Sequence, residues 1–204
     1  MGKCNLEVDM LFEQQISLKH FLRLTKTKFP SVIVGEAFCV DNMAFENEKV
    51  LDSTDFEQFD GEVKNGKHVF VFGRIDEKEC GLIVGQENKR CYLNVWLECE
   101  TAPNQYDVGI DPLDNNVYDR AVNWVCETFS ESSILFAAIG CEMFIKDMGE
   151  TFDMLNYSSG VERWVLPKTN AVGVFPGFLK NEVGEFTVLI KKKPNVGQRF
   201  KRYK

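Results

Sequence analysis

Two histidines, seven cysteines and a dense run of carboxylates are the groups in this 204-residue chain that could move a proton, attack a carbon or hold a metal. His20 and His68 are the two imidazoles available as a base for a serine or cysteine nucleophile. His20 lies between Lys19 and Arg23 in a stretch with helical character, which reads as a solvated helix face. His68 opens a β-patterned run, and a thiol at Cys39 or Cys80 paired with it is the nucleophile and base arrangement to consider. Zinc ligation by sulfur needs close-spaced pairs. Here the nearest two cysteines, Cys91 and Cys99, fall on one strand face with Leu93, Val95 and Leu97, which is a packing pattern. The chain has no GxGxxG after a strand, no GxxxxGK[ST], no HExxH and no GxSxG. Neither a cofactor nor a metal is expected, and an enzymatic reading has no motif behind it.

Carboxylates are the most abundant chemistry. Nine acids (Glu36, Asp41, Glu46, Glu48, Asp52, Asp55, Glu57, Asp60 and Glu62) share their stretch with one base, Lys49. A calcium loop needs acids at alternate positions around a central glycine, and neither DSTDFEQFDGE nor DVGIDPLDNN has that form. The functional reading is an anionic surface for a basic partner, formed by Asp52, Asp55, Glu57, Asp60 and Glu62; the plain reading is a solvated loop. Glu98 and Asp111 are a conceivable glycosidase-like pair, but spacing does not supply their separation. A second candidate surface is one face of the run CYLNVWLEC, where Tyr92, Asn94, Trp96, Glu98 and Glu100 alternate. Large amphipathic aromatics beside polar groups have the composition of protein-interface hot spots.

Net charge is −7, but it is unevenly placed. Seven of the 24 basic residues and none of the 31 acids fall in 191–204, leaving the first 190 residues at −14. Lys191, Lys192, Lys193, Arg199, Lys201 and Arg202, interleaved with Phe200 and Tyr203, suit phosphate contacts and base stacking, so nucleic acid is a possible partner of this tail. An acidic body of residues 1–190 with a basic tail, 191–204, is the expected organisation. An odd cysteine count scattered over a full-sized chain reads as reduced thiols. Glu7 and Asp9 interrupt the apolar stretch a signal peptide would need, Leu6 departs from the myristoylation pattern, and the run Ile134 to Cys141 is far short of the ~20 residues a bilayer requires. The expectation is a cytoplasmic protein that does not enter membranes.

These groups need a scaffold, and the hydrophobic periodicity supplies one. Residues 5–12 read as a short strand, and a helix from about Leu18 to Lys28 follows with Ser17 as its N-cap and Pro30 as its stop. Residues 31–40 read as a strand, and 41–62 as mostly loop with a short helix or strand near Phe56 and Phe59. Asn65-Gly66 is expected to be a hairpin-type turn into a β-meander of 68–75, 80–86 and 91–99. The first of these is apolar on both faces, so something, most simply a helix, should cover the second face. Residues 101–114 read as a loop and about 116–129 as an amphipathic helix. Strands follow at 133–140, 164–167 and 185–191, with a helix over Met143 to Leu155 and a loop or bulged edge at Gly173, Pro176 and Gly177. The elements do not alternate strictly, so the expected fold is α+β: one domain whose largely antiparallel sheet is packed by two or three helices.

Two functional readings follow from different classes. The first is a non-enzymatic domain that binds a basic protein through its acidic and aromatic surface, one concrete form being a cognate inhibitor of the immunity-protein type, a likeness of kind with no motif matched. The second is a subunit of a nucleoprotein or viral assembly anchored by the basic tail; a hydrolase with a carboxylate or Cys-His site ranks below both. Oligomeric state is left open by the sequence.

Overall fold

The computed structural model describes residues 3–87, 90–101, 113–130, 133–144, 159–169 and 176–192. Ten strands and three helices are present among them. The strands are β1 (Lys3–Phe12), β2 (Ile33–Val40), β3 (Lys49–Val50), β4 (His68–Ile75), β5 (Lys78–Glu87), β6 (Arg90–Glu100), β7 (Phe136–Phe144), β8 (Ser159–Pro167), β9 (Phe178–Val183) and β10 (Phe186–Lys191). The helices are α1 (Leu18–Lys28), α2 (Phe56–Lys64) and α3 (Asn115–Thr128). All strands join one antiparallel sheet in the order β3-β2-β4-β5-β6-β1-β7-β8-β10-β9.

The alternation in NLEVDMLF places β1 at the centre of this sheet. Leu6, Val8, Met10 and Phe12 face Leu97, Val95, Leu93 and Cys91 of β6, and Leu6, Val8 and Met10 also face Cys141, Ile139 and Ala137 of β7. This is the face the helices cover. Its core continues through Ala37, Cys39, Val69, Val71, Leu82, Val84, Val165, Phe186 and Val188, capped by Leu18, Phe21 and Leu22 of α1, Phe59 and Val63 of α2, and Tyr118, Ala121, Val122 and Val125 of α3. Phe21 meets Trp124 and Phe129, linking α1 to the end of α3. The inward stripe of α3 is Tyr118, Ala121, Val122 and Val125, all buried.

Each helix begins on a residue that satisfies its open N–H groups. Ser17 accepts from His20 N, Asp55 from Glu57 N and Gln58 N, and Asp114 from Asn116 N. Helix α2 occupies the stretch expected to be mostly loop. It also changes the role of Asn65-Gly66: this pair terminates α2, with Asn65 as its C-cap and Gly66 at φ +81°, and does not form a hairpin. A helix end and a hairpin both need a left-handed residue, so the dipeptide alone does not distinguish them. The tight β4–β5 turn is made instead by Asp76 and Glu77, both at positive φ.

Three other expectations change. Strand β7 runs on to Phe144, so Met143 and Phe144 are strand and not the start of a helix; residues 145–155 of that expected helix lie outside the described residues. Strand β9, polar and exposed along much of its length, was not apparent in the hydropathy pattern; as an edge strand it pairs with β10 alone and has little to bury. Lastly, among the described residues no helix lies on the second face of β4. A small apolar cluster (Leu11, Phe136, Ala138, Val161, Trp164, Leu166 and Leu189) forms on that side under β1, β7, β8 and β10. No helix among the described residues is long and apolar enough to cross a membrane.

Candidate functional site

The sheet separates the groups that sequence proximity had grouped. Side chains alternate across a strand, so every candidate belongs to one face or the other. Cys39 faces Val69 and Cys80 faces Leu97 on the helix side, whereas His68 lies on the opposite face with Phe70 and Tyr92. The Cys39 or Cys80 pairing with His68 is therefore blocked by the sheet itself. Burial lifts the Cys80 thiol to about 11 and raises Cys39, Cys91 and Cys99 as well, which makes these sulfurs poor nucleophiles. Among the described residues no cluster of three or more metal-ligating side chains exists. Asp111 lies outside the described residues, so its pairing with Glu98 is not described.

The acids of 52–62 sit on and around α2, and most are engaged by the fold. Asp55 caps α2. Asp60 reaches across to α1, where Oδ1 accepts from the Leu18 N–H at 2.6 Å and Oδ2 from the Ser17 hydroxyl at 2.8 Å. Glu62, almost fully buried, is bridged by Lys49 at 2.5 Å and approached by Lys67 at 3.8 Å, and the Lys49 contact holds its carboxyl below the usual range. Glu57 pairs with Lys19. Asp52 accepts from the Thr54 hydroxyl and N–H in a local turn, which lowers its pKa. Glu57 and Glu62 are thus paired with lysines, while Asp52, Asp55 and Asp60 keep their charge and spend their oxygens on hydrogen bonds within the fold.

Tyr92, Trp96 and Glu98 occupy the face on which no helix lies among the described residues, the helix-free face, on the other side of the sheet from α2. There they join residues that the sequence reading did not single out. Phe38 of β2 stacks on Phe70 of β4 with centroids 5.0 Å apart and on Phe72 at 5.9 Å. Phe72 meets Trp96 edge-on at 6.1 Å. Phe45 covers Phe70 at 5.2 Å from the loop between β2 and β3, with its backbone at φ +59°. Such a conformation is costly for a bulky residue and persists only where the surroundings hold it. Asn42 does so: its side-chain oxygen accepts from Ala44 N, its backbone carbonyl from Phe45 N, and its amide donates to Glu46 at 2.6 Å. Met43 from the same loop touches the Tyr92 hydroxyl, which also hydrogen-bonds with His68 Nδ1.

Two glycines of β5 let the large rings lie flat. A Cβ on Gly81 would meet the Trp96 indole at 2.7 Å, and one on Gly85 would meet His68 Nδ1 at 2.5 Å and the Tyr92 hydroxyl at 2.7 Å. The rings fold across β5 into the space a side chain would take. The resulting platform is partly open to solvent: Phe72 is 37% exposed, Phe45 51%, Met43 54% and Val50, opposite Phe38, 78%.

Acids border the platform. Glu7 of β1 is opposite Trp96, Asp9 is opposite Asn94, and Glu98, opposite Asn5, pairs with Lys3 at 2.8 Å. The signal for Glu7 and Asp9 was present in the sequence as polar residues alternating within an apolar strand. Lys191 pairs with Glu162 at 2.8 Å, and Lys192 is exposed, while Lys193, Arg199, Lys201 and Arg202 lie outside the described residues. No protein-family model, curated protein or solved structure matches this chain.

Proposed function

We propose that this chain is a non-enzymatic protein-binding domain, and that its contact surface is the helix-free face of the sheet from β2 to β1. One observation carries the reading: the Phe38, Phe45, Phe72 and Trp96 platform, partly exposed on the face the described helices leave open and held there by a strained Phe45 and by glycines beneath the large rings. Tyr, Trp and Phe at the centre of a patch, surrounded by polar groups, is how interface hot spots are composed. Glu7, Asp9 and Glu98 beside the rings favour a basic partner, and a cytoplasmic cognate inhibitor is one form such a protein takes. The acids of α2 contribute to this only through the general negative field, since their near contacts belong to the fold.

The test is capture from nuclease-treated lysate followed by binding of the purified pair. The full chain and a chain ending at Lys192 are expected to retain the same basic protein, and Phe72→Glu to lose it by at least about tenfold, the size of a modest hot-spot effect, with an unchanged circular dichroism spectrum and melting point. Undiminished binding by Phe72→Glu would refute the proposed surface.

A further inference from the structure

Cys4, near the start of β1, and Cys99, near the end of β6, stand directly opposite each other in the antiparallel register. Both lie on the helix-covered face, two positions from the pair Leu6 and Leu97, and both pack into the main core. Directly opposed residues of an antiparallel pair have Cα atoms about 4.5–5.5 Å apart, inside the roughly 4.4–6.8 Å that a disulfide spans. The charge of a Cys4 thiolate also acts on the Cys99 thiol, so the two sulfurs are within electrostatic reach.

The other strand cysteines each face a different residue: Cys141 faces Leu6, Cys80 faces Leu97, Cys91 faces Phe12 and Cys39 faces Val69. Cys141 is thereby diagonal to Cys4, and Cys80 to Cys99. Diagonal neighbours are about 7–8 Å apart, beyond bonding range without backbone movement. Cys126 lies on α3.

Access to the pair is asymmetric. Cys99 is 8% exposed, whereas Cys4 is only half-buried, so a reagent meets Cys4 first. Burial holds the Cys99 thiol above its usual range, against the pull of the Lys78 and Arg120 cations. Such a thiol is slow towards dissolved reagents, but a fixed neighbour replaces diffusion in an intramolecular attack.

We propose that Cys4 and Cys99 are a site of reversible oxidation by hydrogen peroxide, closing a disulfide that ties β1 to β6 on the helix-covered face. The Cys4 thiolate attacks one peroxide oxygen; the O–O bond breaks, Cys4 becomes a sulfenic acid, and the departing hydroxide takes up the proton that Cys4 gave up. The Cys99 sulfur then displaces the sulfenic hydroxyl, which leaves as water with the Cys99 proton as the S–S bond forms. In sum, two thiols and one peroxide give one disulfide and two waters, and the two electrons lost by sulfur reduce the peroxide. Exchange with an external dithiol returns both thiols. Since β1 lies between β6 and β7 at the middle of the sheet, the bond fixes a pairing on which both halves of the sheet depend. The site is independent of the binding surface, which occupies the opposite face.

The experiment treats the reduced full chain with equimolar hydrogen peroxide at neutral pH, blocks the remaining thiols with N-ethylmaleimide in denaturant, and maps the unreduced peptides by mass spectrometry. Blocked thiols should fall by two from the original seven, and dithiothreitol should restore them. The linkage of Cys4 to Cys99 should exceed any other by at least about tenfold, the advantage of a pair held in position. Cys99→Ser should stop Cys4 at the sulfenic acid, captured by dimedone, and Cys80→Ser should link as the parent does. The oxidised chain should unfold at a higher urea midpoint than the reduced one, because the cross-link restricts the unfolded chain. A map without the Cys4 to Cys99 linkage, Cys4 joined chiefly to Cys80, Cys141 or a second chain, or a midpoint no higher than that of the reduced chain would each overturn the proposal. The mapping uses the unsubstituted chain, so a variant that folds poorly does not decide it.

Discussion

Replacing Asp60 by alanine distinguishes an acid that serves a partner from one that serves the fold. Its carboxylate accepts from the Leu18 N–H at 2.6 Å and from the Ser17 hydroxyl at 2.8 Å, joining α2 to the first turn of α1. Leu18 is fully buried, so its N–H cannot simply turn to water when the acceptor is removed. Ser17 meanwhile caps the same helix through His20 N, and its hydroxyl is oriented by donating to Asp60. A hydrogen bond to a charged group contributes about 1.5–3 kcal/mol net, and the weaker exposed bond adds a fraction of that, so Asp60→Ala should cost about 2–3 kcal/mol. For a chain of this size that corresponds to a fall in melting temperature of roughly 4–12 °C. Asp52→Ala, whose carboxylate contacts are confined to its own exposed turn, should unfold at the parent's urea midpoint. Urea and thermal melts of both variants, followed by circular dichroism, make the comparison. If Asp60→Ala unfolded at the parent's urea midpoint, the carboxylate would not be anchoring α1, and its place in a partner surface would have to be reopened.

Asp9 carries the opposite sign. Its folded pKa is raised from 3.8 to about 6, so the native state holds the proton more tightly than the unfolded chain between those values. Its contribution to stability is therefore most favourable below about pH 4, declines as pH rises, and reaches its full cost above about pH 6. Asp9→Asn should raise stability at pH 7 by up to about 3 kcal/mol and flatten the pH profile between 4 and 6; an unchanged profile in urea melts would refute the assignment. Gly81→Ala should lift the Trp96 indole from β5 and cost about 1–3 kcal/mol, read by altered tryptophan emission and a lower melting point, whereas Gly61→Ala in α2, with open space around its Cβ, should stabilise by about 0.4–1 kcal/mol. Arg163 is buried under α3, donating to Asn115 at 3.0 Å and to Asp119 at 3.4 Å and lying 5.5 Å from the Tyr118 ring centre. Because Asp119 stays solvated once its partner is gone, Arg163→Ala should cost about 1–3 kcal/mol in lost packing and hydrogen bonds and loosen α3 first, seen as faster amide exchange along that helix; uniform exchange would argue against it.

Much of the scaffold was legible because local rules and tertiary packing agree there. The apolar alternation of CGLIVGQ and CYLNVWLEC is the pattern of half-covered antiparallel strands, and β5 and β6 carry it into the sheet. Ser17 with Pro30 brackets α1 because a cap and a stop are local chemistry. Where two structures use the same local device the sequence was ambiguous: Asn65-Gly66 closes a helix and not a hairpin. Strand β9 was invisible because an edge strand with little to bury has no hydrophobic period to display.

What the sequence determined by itself was composition and alternation: an acidic chain, an antiparallel α+β scaffold, and strands with one polar-aromatic face. Which face a given residue joined, and beside whom, was decided only by the order and register of ten strands. Asp52 to Glu62 and Tyr92 to Glu98 were both sound candidates for a contact surface as composition, yet α2 lies on one side of the sheet and Trp96 on the other, where no described helix packs. Glu7 and Asp9 meet Trp96 and Asn94 only because β1, first in sequence, inserts between β6 and β7 at the middle of the sheet. Pairing between strands some ninety residues apart is a property of the whole core's best burial, and no local window of the chain contains it.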